Sequence, residues 1–385
     1  MKNSNDKFEL IAKTFYGLEE VLAEEIRSIG ATNIIKHNRA VSFNGDKELM
    51  YKSNYHLRTA LRILKPIFVF NVRSTKSLYR SIKEYKWEKI FGVEDTFAID
   101  AVISSNYFTH SKYAALKVKD AIADRFRSKF NERPSVDVDN PTIRIQIHIY
   151  EDQCTVALDS SGDSLHKRGY RLSTMMAPLN EALAAGMILL SGWDRKSEFI
   201  DPMCGSGTIP IEAALIALNI PPGYLGRTYG FQKWNDFDQT IWSKISAESA
   251  VEKDSKFIIV ASDKSPKAIE TTSRNVKSAK LMNHIKIGIK YFDELEPTSK
   301  NGMIIMNPPY GERLKEEDIS DLYKMIGDSL KTNFFGFDAW ILSASNTAMK
   351  NVGLKTSKRL TLYNGALECK FYKYSLYSGS KKYKD

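Results

Sequence analysis

A short apolar pair, Phe199-Ile200, runs into Asp201-Pro202-Met203-Cys204-Gly205-Ser206-Gly207-Thr208, and a helix-compatible stretch, Ile209 to Ala217, runs out of it. Strand, glycine turn and helix in that order place this part of the chain in an open α/β sheet. The glycines let the backbone pass close to a ligand and take dihedrals that a Cβ forbids. Asp201 would stand at the carboxyl end of its strand, the edge at which such sheets bind ligands. No Lys follows the last Gly, so the turn is a poor phosphate loop. An acid at its start suits a ligand with an amino group better than one with phosphates. Taken alone, an ordinary tight turn or another nucleotide fold explains the stretch about as well.

A second stretch changes the balance. Met303-Ile304-Ile305-Met306 is strand-like, and Asn307-Pro308-Pro309-Tyr310 follows it directly. Asn307 comes 106 residues after Asp201. That leaves room for several βα units and would bring both motifs to one edge of one sheet. Together they resemble the class I amino-methyltransferases that use S-adenosylmethionine. With Gly311-Glu312-Arg313 added, they are similar to the RNA guanine-N2 methylases that carry an RNA-binding THUMP domain. Relatives of that family often bear the label N6-adenine-specific DNA methylase.

The residue types suit that chemistry. An exocyclic base amine is a poor nucleophile because its lone pair is delocalised into the ring. A site helps by accepting hydrogen bonds from both N–H groups, which frees the lone pair to attack a sulfonium methyl. Asn307 offers a side-chain carbonyl, and Pro308 offers a backbone carbonyl with no competing donor. Consecutive prolines, Pro308 and Pro309, stiffen the turn, so the acceptors are fixed before reaction. Tyr310 supplies a flat face for an extruded base. The methylated nitrogen is acidic, so no dedicated base is needed. A rigid Pro-Pro loop is the plain alternative. The same physics serves adenine N6, guanine N2, cytosine N4 and a glutamine amide, so the motif does not name its acceptor.

The resemblance covers nearly the whole chain. It runs from Gly17-Leu-Glu-Glu20 through Tyr113-Ala-Ala-Leu-Lys-Val-Lys-Asp-Ala-Ile122 and His166-Lys-Arg-Gly-Tyr-Arg171 to Asn307-Pro-Pro-Tyr-Gly-Glu-Arg-Leu314. It implies methyl transfer to guanine N2 in large-subunit (23S) rRNA, with S-adenosylmethionine as cofactor. It makes Lys117 and Lys119 candidate phosphate contacts in the THUMP region. It brings Ala177-Pro178-Leu179 close to the cofactor and sets Asp293 against the adenine amino group. Some relatives carry a second methyltransferase domain; this chain ends after one, so only the guanine-N2 activity is expected. Ser160 departs from the apolar residue usual in relatives. A DNA adenine-N6 methylase would share Asn-Pro-Pro-Tyr but has no use for an RNA module. A non-catalytic ribosome-assembly protein would have no use for intact motifs.

Charge agrees with an RNA partner without requiring one. The formal net charge is +10 and the pI about 9.2. A solvated lysine-rich surface and a polyanion partner fit equally well. The three cysteines, Cys154, Cys204 and Cys369, are scattered. That argues against a disulfide framework and a zinc site. Met1 to Leu10 is too polar for a signal peptide, and no apolar run reaches membrane-span length. A cytoplasmic protein with no membrane and no DNA partner is expected.

In chain order, residues 8–15 read as a strand, 17–29 as a helix and 33–37 with 40–43 as short strands, with Asn44-Gly45 as a turn. A helix over 49–57 and strands over 61–71 and 97–103 follow. Ser111 to Phe130 is an amphipathic helix, then strands cover 143–150 and 155–158. Leu158 to Arg171 is a linker in which His166, Lys167, Arg168, Tyr170 and Arg171 form a basic-aromatic cluster. Arg168 and Arg171 could clamp phosphate and Tyr170 stack a base, or the segment could simply pack as a hinge. After the Thr208 helix, the insert from Pro221 to Trp242 carries six aromatics. A packed loop is favoured over a wall around the base. Asp263 ends the strand at 257–261, the position at which such folds hold ribose hydroxyls. A strand over 285–289 precedes Asp293. A helix at 319–330, a strand at 339–343 and a β pair at 354–362 and 367–376 complete the chain. Lys350 to Asp385 holds nine Lys or Arg against two acids, equally open to a solvated tail or an RNA-facing edge.

The expected architecture is a ferredoxin-like α+β subdomain over 1–55, a THUMP domain over 56–160 and a Rossmann-like class I methyltransferase domain over 161–385.

Overall fold

The computed structural model describes residues 7–172, 178–247, 257–309 and 316–377. Two compact units share the chain. One comprises Met1–Thr14, Ala23–Leu165 and Gly226–Ala247; the other comprises Phe15–Leu22, His166–Leu225 and Glu248–Asp385.

The first unit is built on eight strands: β1 (Phe8–Lys13), β2 (Thr32–His37), β3 (Ala40–Gly45), β4 (Arg62–Asn71), β5 (Thr96–Ser104), β6 (Ser135–Val136), β7 (Ile143–Tyr150) and β8 (Gln153–Asp159). They form one sheet in the order β2-β3-β1-β4-β8-β7-β5-β6. Period-two patterning explains β7: Ile143, Ile145, Ile147 and Ile149 are buried, while His148 and Tyr150 face solvent. The helix Ser111–Phe130 has the expected bounds and buries Ala114, Val118, Ala121, Ile122 and Phe126. Pro66 is tolerated inside β4 because the register shifts between Pro66 and Phe68.

Two expectations are corrected. Asn44 and Gly45 are paired in β3, and the hairpin turns at Asn38-Arg39, with Arg39 left-handed at φ 57°. A further helix, Thr75–Glu84, starts on a capping box between Ser74 and Ser77. It is amphipathic, but its stretch is short and mostly polar, and its buried stripe is only Leu78 and Ile82, one turn apart.

From Gly226 onward the aromatic insert belongs to this first unit. Phe231 stacks on Tyr51 with ring centroids 4.1 Å apart, and Trp242 meets Tyr55 edge-on at 5.6 Å. Arg227 donates to the carbonyls of Asp163 and Ser164. Packing, the favoured alternative, is what the insert does.

The second unit is a seven-stranded sheet: β9 (Glu198–Asp201), β10 (Ile259–Asp263), β11 (Ile285–Ile289), β12 (Gly302–Met306), β13 (Phe337–Ser343), β14 (Lys358–Asn364) and β15 (Leu367–Ser375), in the order β11-β10-β9-β12-β13-β15-β14. The first five in that order pair in parallel, and β15 runs antiparallel to both its neighbours. The central strand β12 carries an unbroken apolar run, Met303 to Met306, because both faces of a parallel sheet are covered, and β9 is buried throughout although Glu198 and Asp201 flank Phe199-Ile200. The helix Thr208–Ala217 is buried along its whole length. Leu18 is fully buried here, and a Cβ on Gly186 would sit 2.5 Å from it. The parallel arrangement brings the carboxyl ends of β9, β10, β11 and β12 to one edge. In the basic tail, Lys373 pairs with Asp338 at 2.8 Å and Lys370 with Glu368 at 2.8 Å. No helix among the described residues is long and apolar enough to cross a membrane.

Candidate active site

The glycine turn leaves β9 at Asp201 and folds back under its own hydrogen bonds. The Met203 N–H donates to Asp201 Oδ1 at 3.2 Å, and the Gly207 N–H to the Cys204 carbonyl at 2.8 Å. Gly205 and Gly207 have φ of 56° and 81°, left-handed values that a side chain would strain. The turn is held from outside by the helix Pro266–Ser278. Thr272 Oγ1 donates to the Gly205 carbonyl at 3.0 Å and Asn275 Nδ2 to the Ser206 carbonyl at 2.9 Å. A Cβ on Gly207 would come within 2.9 Å of Thr272. Asp263, at the end of β10, accepts from the Gly205 N–H at 3.1 Å and the Ser265 N–H at 2.9 Å. That carboxylate therefore shapes the turn, with lone pairs to spare for hydroxyl donors.

These elements enclose a cavity of about 430 Å³. Its lining brings together Pro178, Asp201, Pro202, Cys204, Gly205, Ser206, Thr208, Asp263, Asp293, Asn307 and Pro309. Gly207 packs against Thr272, and Pro308 is buried behind the lining. Tyr310 and Ala177 lie outside the described residues. The sequence reading missed Lys264 and Lys290, which also line the cavity. Each directly follows a residue that ends a strand, which the carboxyl-edge rule flags. Thr272 and Asn275 were missed as well. Their signal was polar side chains on the inward stripe of a helix, beside buried Ala268 and Val276.

Asp201 is 1% exposed. Burial pushes its carboxyl well above the usual range and the nearby Asp263 charge adds to this, against the Met203 hydrogen bond. Burial also raises the Cys204 thiol, so it is an inert lining atom, not a nucleophile. Asn307 Oδ1 is buried and makes no hydrogen bond among the described residues. An unmet acceptor of that kind costs about 1–3 kcal/mol, a cost that a donor from a bound molecule would relieve. The cavity thus offers buried acid at one side and an unmet carbonyl at the other. That set of hydrogen-bond acceptors fits a cationic, amine-bearing cofactor next to a second amine that receives the methyl group.

The linker residues do something other than expected. Tyr170 is 1% exposed and its hydroxyl donates to Glu212 Oε1 at 2.9 Å. Arg168 is 2% exposed, with Nε 3.6 Å from the same oxygen. Neither ring face nor guanidinium is presented to an RNA chain, so stacking on Tyr170 and clamping by Arg168 are corrected to internal anchoring. Glu212, in a fully buried helix, is the reason, since a buried carboxylate needs partners. Arg171 donates to Glu181 Oε1 at 2.8 Å, the Leu179 carbonyl at 2.8 Å and Thr208 Oγ1 at 3.1 Å. It ties the Pro178-Leu179 wall to the turn. In the first unit, Lys117 and Lys119 are two positions apart on one helix and so face different ways. Lys117 lies 5.5 Å from the centre of the Tyr113 ring and Lys119 pairs with Asp120 at 3.1 Å.

Comparison with known proteins agrees with this layout. Residues 168–373 match the RMKL-like methyltransferase domain family, residues 72–159 the THUMP domain and residues 9–64 the RlmL ferredoxin-like domain. A Synechocystis protein provisionally named an RNA methyltransferase is 38% identical over 94% of this chain and 95% of its own length. The ribosomal RNA large subunit methyltransferase K/L of Syntrophotalea carbinolica is 37% identical over 94% of this chain but only 52% of its own length. The chain thus spans about half of that relative. A solved structure described as a methyltransferase complexed with SAH is 30% identical, with a TM-score of 0.85 over 97% of this chain and 99% of the other. The chain belongs to the RMKL-like methyltransferase family, with a ferredoxin-like and a THUMP domain ahead of the methyltransferase fold.

Proposed function

We propose that this protein is an S-adenosylmethionine-dependent RNA methyltransferase acting on the exocyclic N2 amine of a guanine in large-subunit rRNA. The observation that carries the reading is the buried, unmet Oδ1 of Asn307 in the same cavity as Asp201 and Asp263. The SAH in a related structure supports the choice of cofactor, and the name of the Syntrophotalea relative supports the choice of RNA.

When bound, the cofactor supplies a methyl group activated on sulfonium. The chain's own residues do the rest. Asp201 and Asp263 present carboxylates at the strand ends to the amino and ribose groups of the cofactor, and Asp293 stands by the adenine end. Asn307 Oδ1 and the Pro308 carbonyl accept from the two N–H groups of the base amine, which orients its lone pair. Their positions are set before the base arrives, because β12 and the Pro308-Pro309 pair hold them. Pro309, Leu322 and Met325 line the same cavity as Asn307, an apolar contribution that disfavours water beside the reacting nitrogen. The base must leave its stack to reach Asn307, which costs least in an unpaired loop. Lys117 and Lys119 would contact phosphates on opposite sides of their helix, holding the flanking RNA by charge.

The test is mass spectrometry of nucleosides from rRNA and DNA treated with the protein and labelled cofactor. N2-methylguanosine from rRNA alone is the expected result. N6-methyladenine from DNA with rRNA untouched would replace this reading with a DNA adenine methylase.

A further inference from the structure

A second hollow, of about 400 Å³, adjoins the cavity that holds Asn307. Pro178 and Leu179 line both, so a two-residue wall is common to them. Across the hollow stand His166, Lys167, Arg168 and Arg171, with Asn180 and Glu181 at the start of the next helix.

The charge around this hollow is lopsided. Its lining has Lys167, Arg171 and the His166 imidazole against one carboxylate, Glu181, and Arg168, anchored on Glu212, adds its charge from behind without presenting its guanidinium. Glu181 is engaged by Arg171 at 2.8 Å. Glu212, from the helix behind, faces Arg168 at 3.6 Å. Arg171 Nη2 is used by Leu179 and Thr208, while Nη1 is buried with no hydrogen bond among the described residues. Burial holds the His166 imidazole below its ordinary pKa. The positive neighbours Lys167, Arg168 and Arg171 push it the same way, and Glu181 opposes them. Crowded cations in a part-buried hollow raise the local potential, and an anion with several acceptor oxygens is the ligand that relieves it.

The amino and ribose groups of the cofactor have Asp201 and Asp263, and its one carboxylate is the competing anion that calorimetry separates from RNA phosphate. The acceptor strand does need an anion site. A base drawn into the cavity leaves its sugar and phosphates at the mouth, and the energy of unstacking has to be offset by contacts there. We propose that this hollow is a phosphate subsite that receives a backbone phosphate of the strand whose base enters beside Asn307. The proposal rests on RNA being the substrate and deepens that reading by saying where the strand is gripped next to the chemistry. Sequence-independent grip is the expected character, because phosphate contacts position a strand without reading its bases.

The experiment uses full-chain protein and Lys167→Ala, with Lys167→Glu as a stronger change. Lys167 is exposed, so both variants should fold. Binding of a fluorescent single-stranded oligoribonucleotide is followed by anisotropy across a salt series without cofactor, so the outcome does not depend on which base is methylated. Lys167→Ala is expected to weaken RNA binding about tenfold and to lower the salt slope by ~0.7, the value for one lost single-strand phosphate contact. Cofactor affinity by calorimetry should stay as in the wild type, and Lys167→Arg should restore the slope. An unchanged salt slope overturns the proposal, and so does a drop in cofactor affinity, which would assign the hollow to the cofactor's own carboxylate. Inorganic phosphate provides the remaining arm. If it shifts the His166 ring proton resonances while the RNA slope is indifferent to Lys167→Ala, the hollow takes free phosphate and the strand-phosphate assignment is wrong. Normal RNA binding without methylated guanine would instead refute the guanine-N2 reading and leave the subsite standing.

Discussion

Arg171 donates to the Thr208 hydroxyl at 3.1 Å, bonding the linker to the first residue of the helix that leaves the glycine turn. The same guanidinium holds Glu181 and the Leu179 carbonyl. Removing it leaves Glu181 buried without that partner, which costs about 3–5 kcal/mol when such a pair is broken. Arg171→Ala should therefore lower the melting temperature and raise the cofactor dissociation constant together. Arg171→Lys should recover little, since an ammonium cannot bridge three acceptors in a fixed fork. Calorimetry and a thermal melt check both; an unchanged cofactor affinity would remove Arg171 from the support of the turn.

Asn307→Ala deletes one acceptor aimed at the reacting amine. Turnover should fall by about 100- to 1000-fold, as for loss of one preorganised oxyanion-hole donor. Cofactor affinity should hardly change. Single-turnover methylation alongside calorimetry separates the two, and normal turnover would end the role given to this side chain.

Cofactor affinity should rise with pH. Burial has lifted the Asp201 carboxyl well above its usual range, and a cationic ligand favours the carboxylate. Below that raised pKa the protein must lose a proton to bind, so affinity climbs with pH and levels off above it. The effect on the fold has the opposite sign: a raised native pKa means stability is present at low pH and declines as pH rises through it. Calorimetry in buffers of different ionisation enthalpy should detect proton release on binding. Asp201→Asn should abolish that release; its persistence in the variant would assign the proton elsewhere.

The aromatic insert makes a naive truncation fail. Deleting residues 1–160 would strip Phe231 of Tyr51 and Trp242 of Tyr55, and would remove Leu18 from the second unit. The product should aggregate instead of binding cofactor as a clean domain. In the intact chain, Phe231→Ala should cost about 3–5 kcal/mol, read by chemical denaturation. A soluble, cofactor-binding 161–385 fragment would show that these contacts are dispensable.

The pieces legible in sequence were those that local chemistry dictates. Strand-turn-helix around Asp201 and strand-turn at Asn307 announced themselves, because glycine and proline spacing there answers to backbone geometry. The helix Ser111–Phe130 was equally plain from its stripe. What escaped depended on partners distant in the chain. Nothing near Tyr170 or Arg168 reveals that Glu212 lies buried beside them. Nor does the run from Tyr229 to Trp242 disclose that its partners are Tyr51 and Tyr55. Basic and aromatic residues look alike in sequence whether they meet solvent or a buried acid, and only tertiary structure separates the cases.

That interleaving of segments also bears on the order in which the protein can be made. A growing chain ordinarily completes its first domain before the next emerges. Here the aromatic core around Tyr51 stays open until Phe231 and Trp242 have been added, long after the last strand of the first sheet. By then the helix Thr208–Ala217 and its glycine turn have been synthesised too. The nascent protein must therefore carry both halves unfinished at once. Its exposed rings in that interval make it a natural client for chaperones, whatever the stability of the finished fold.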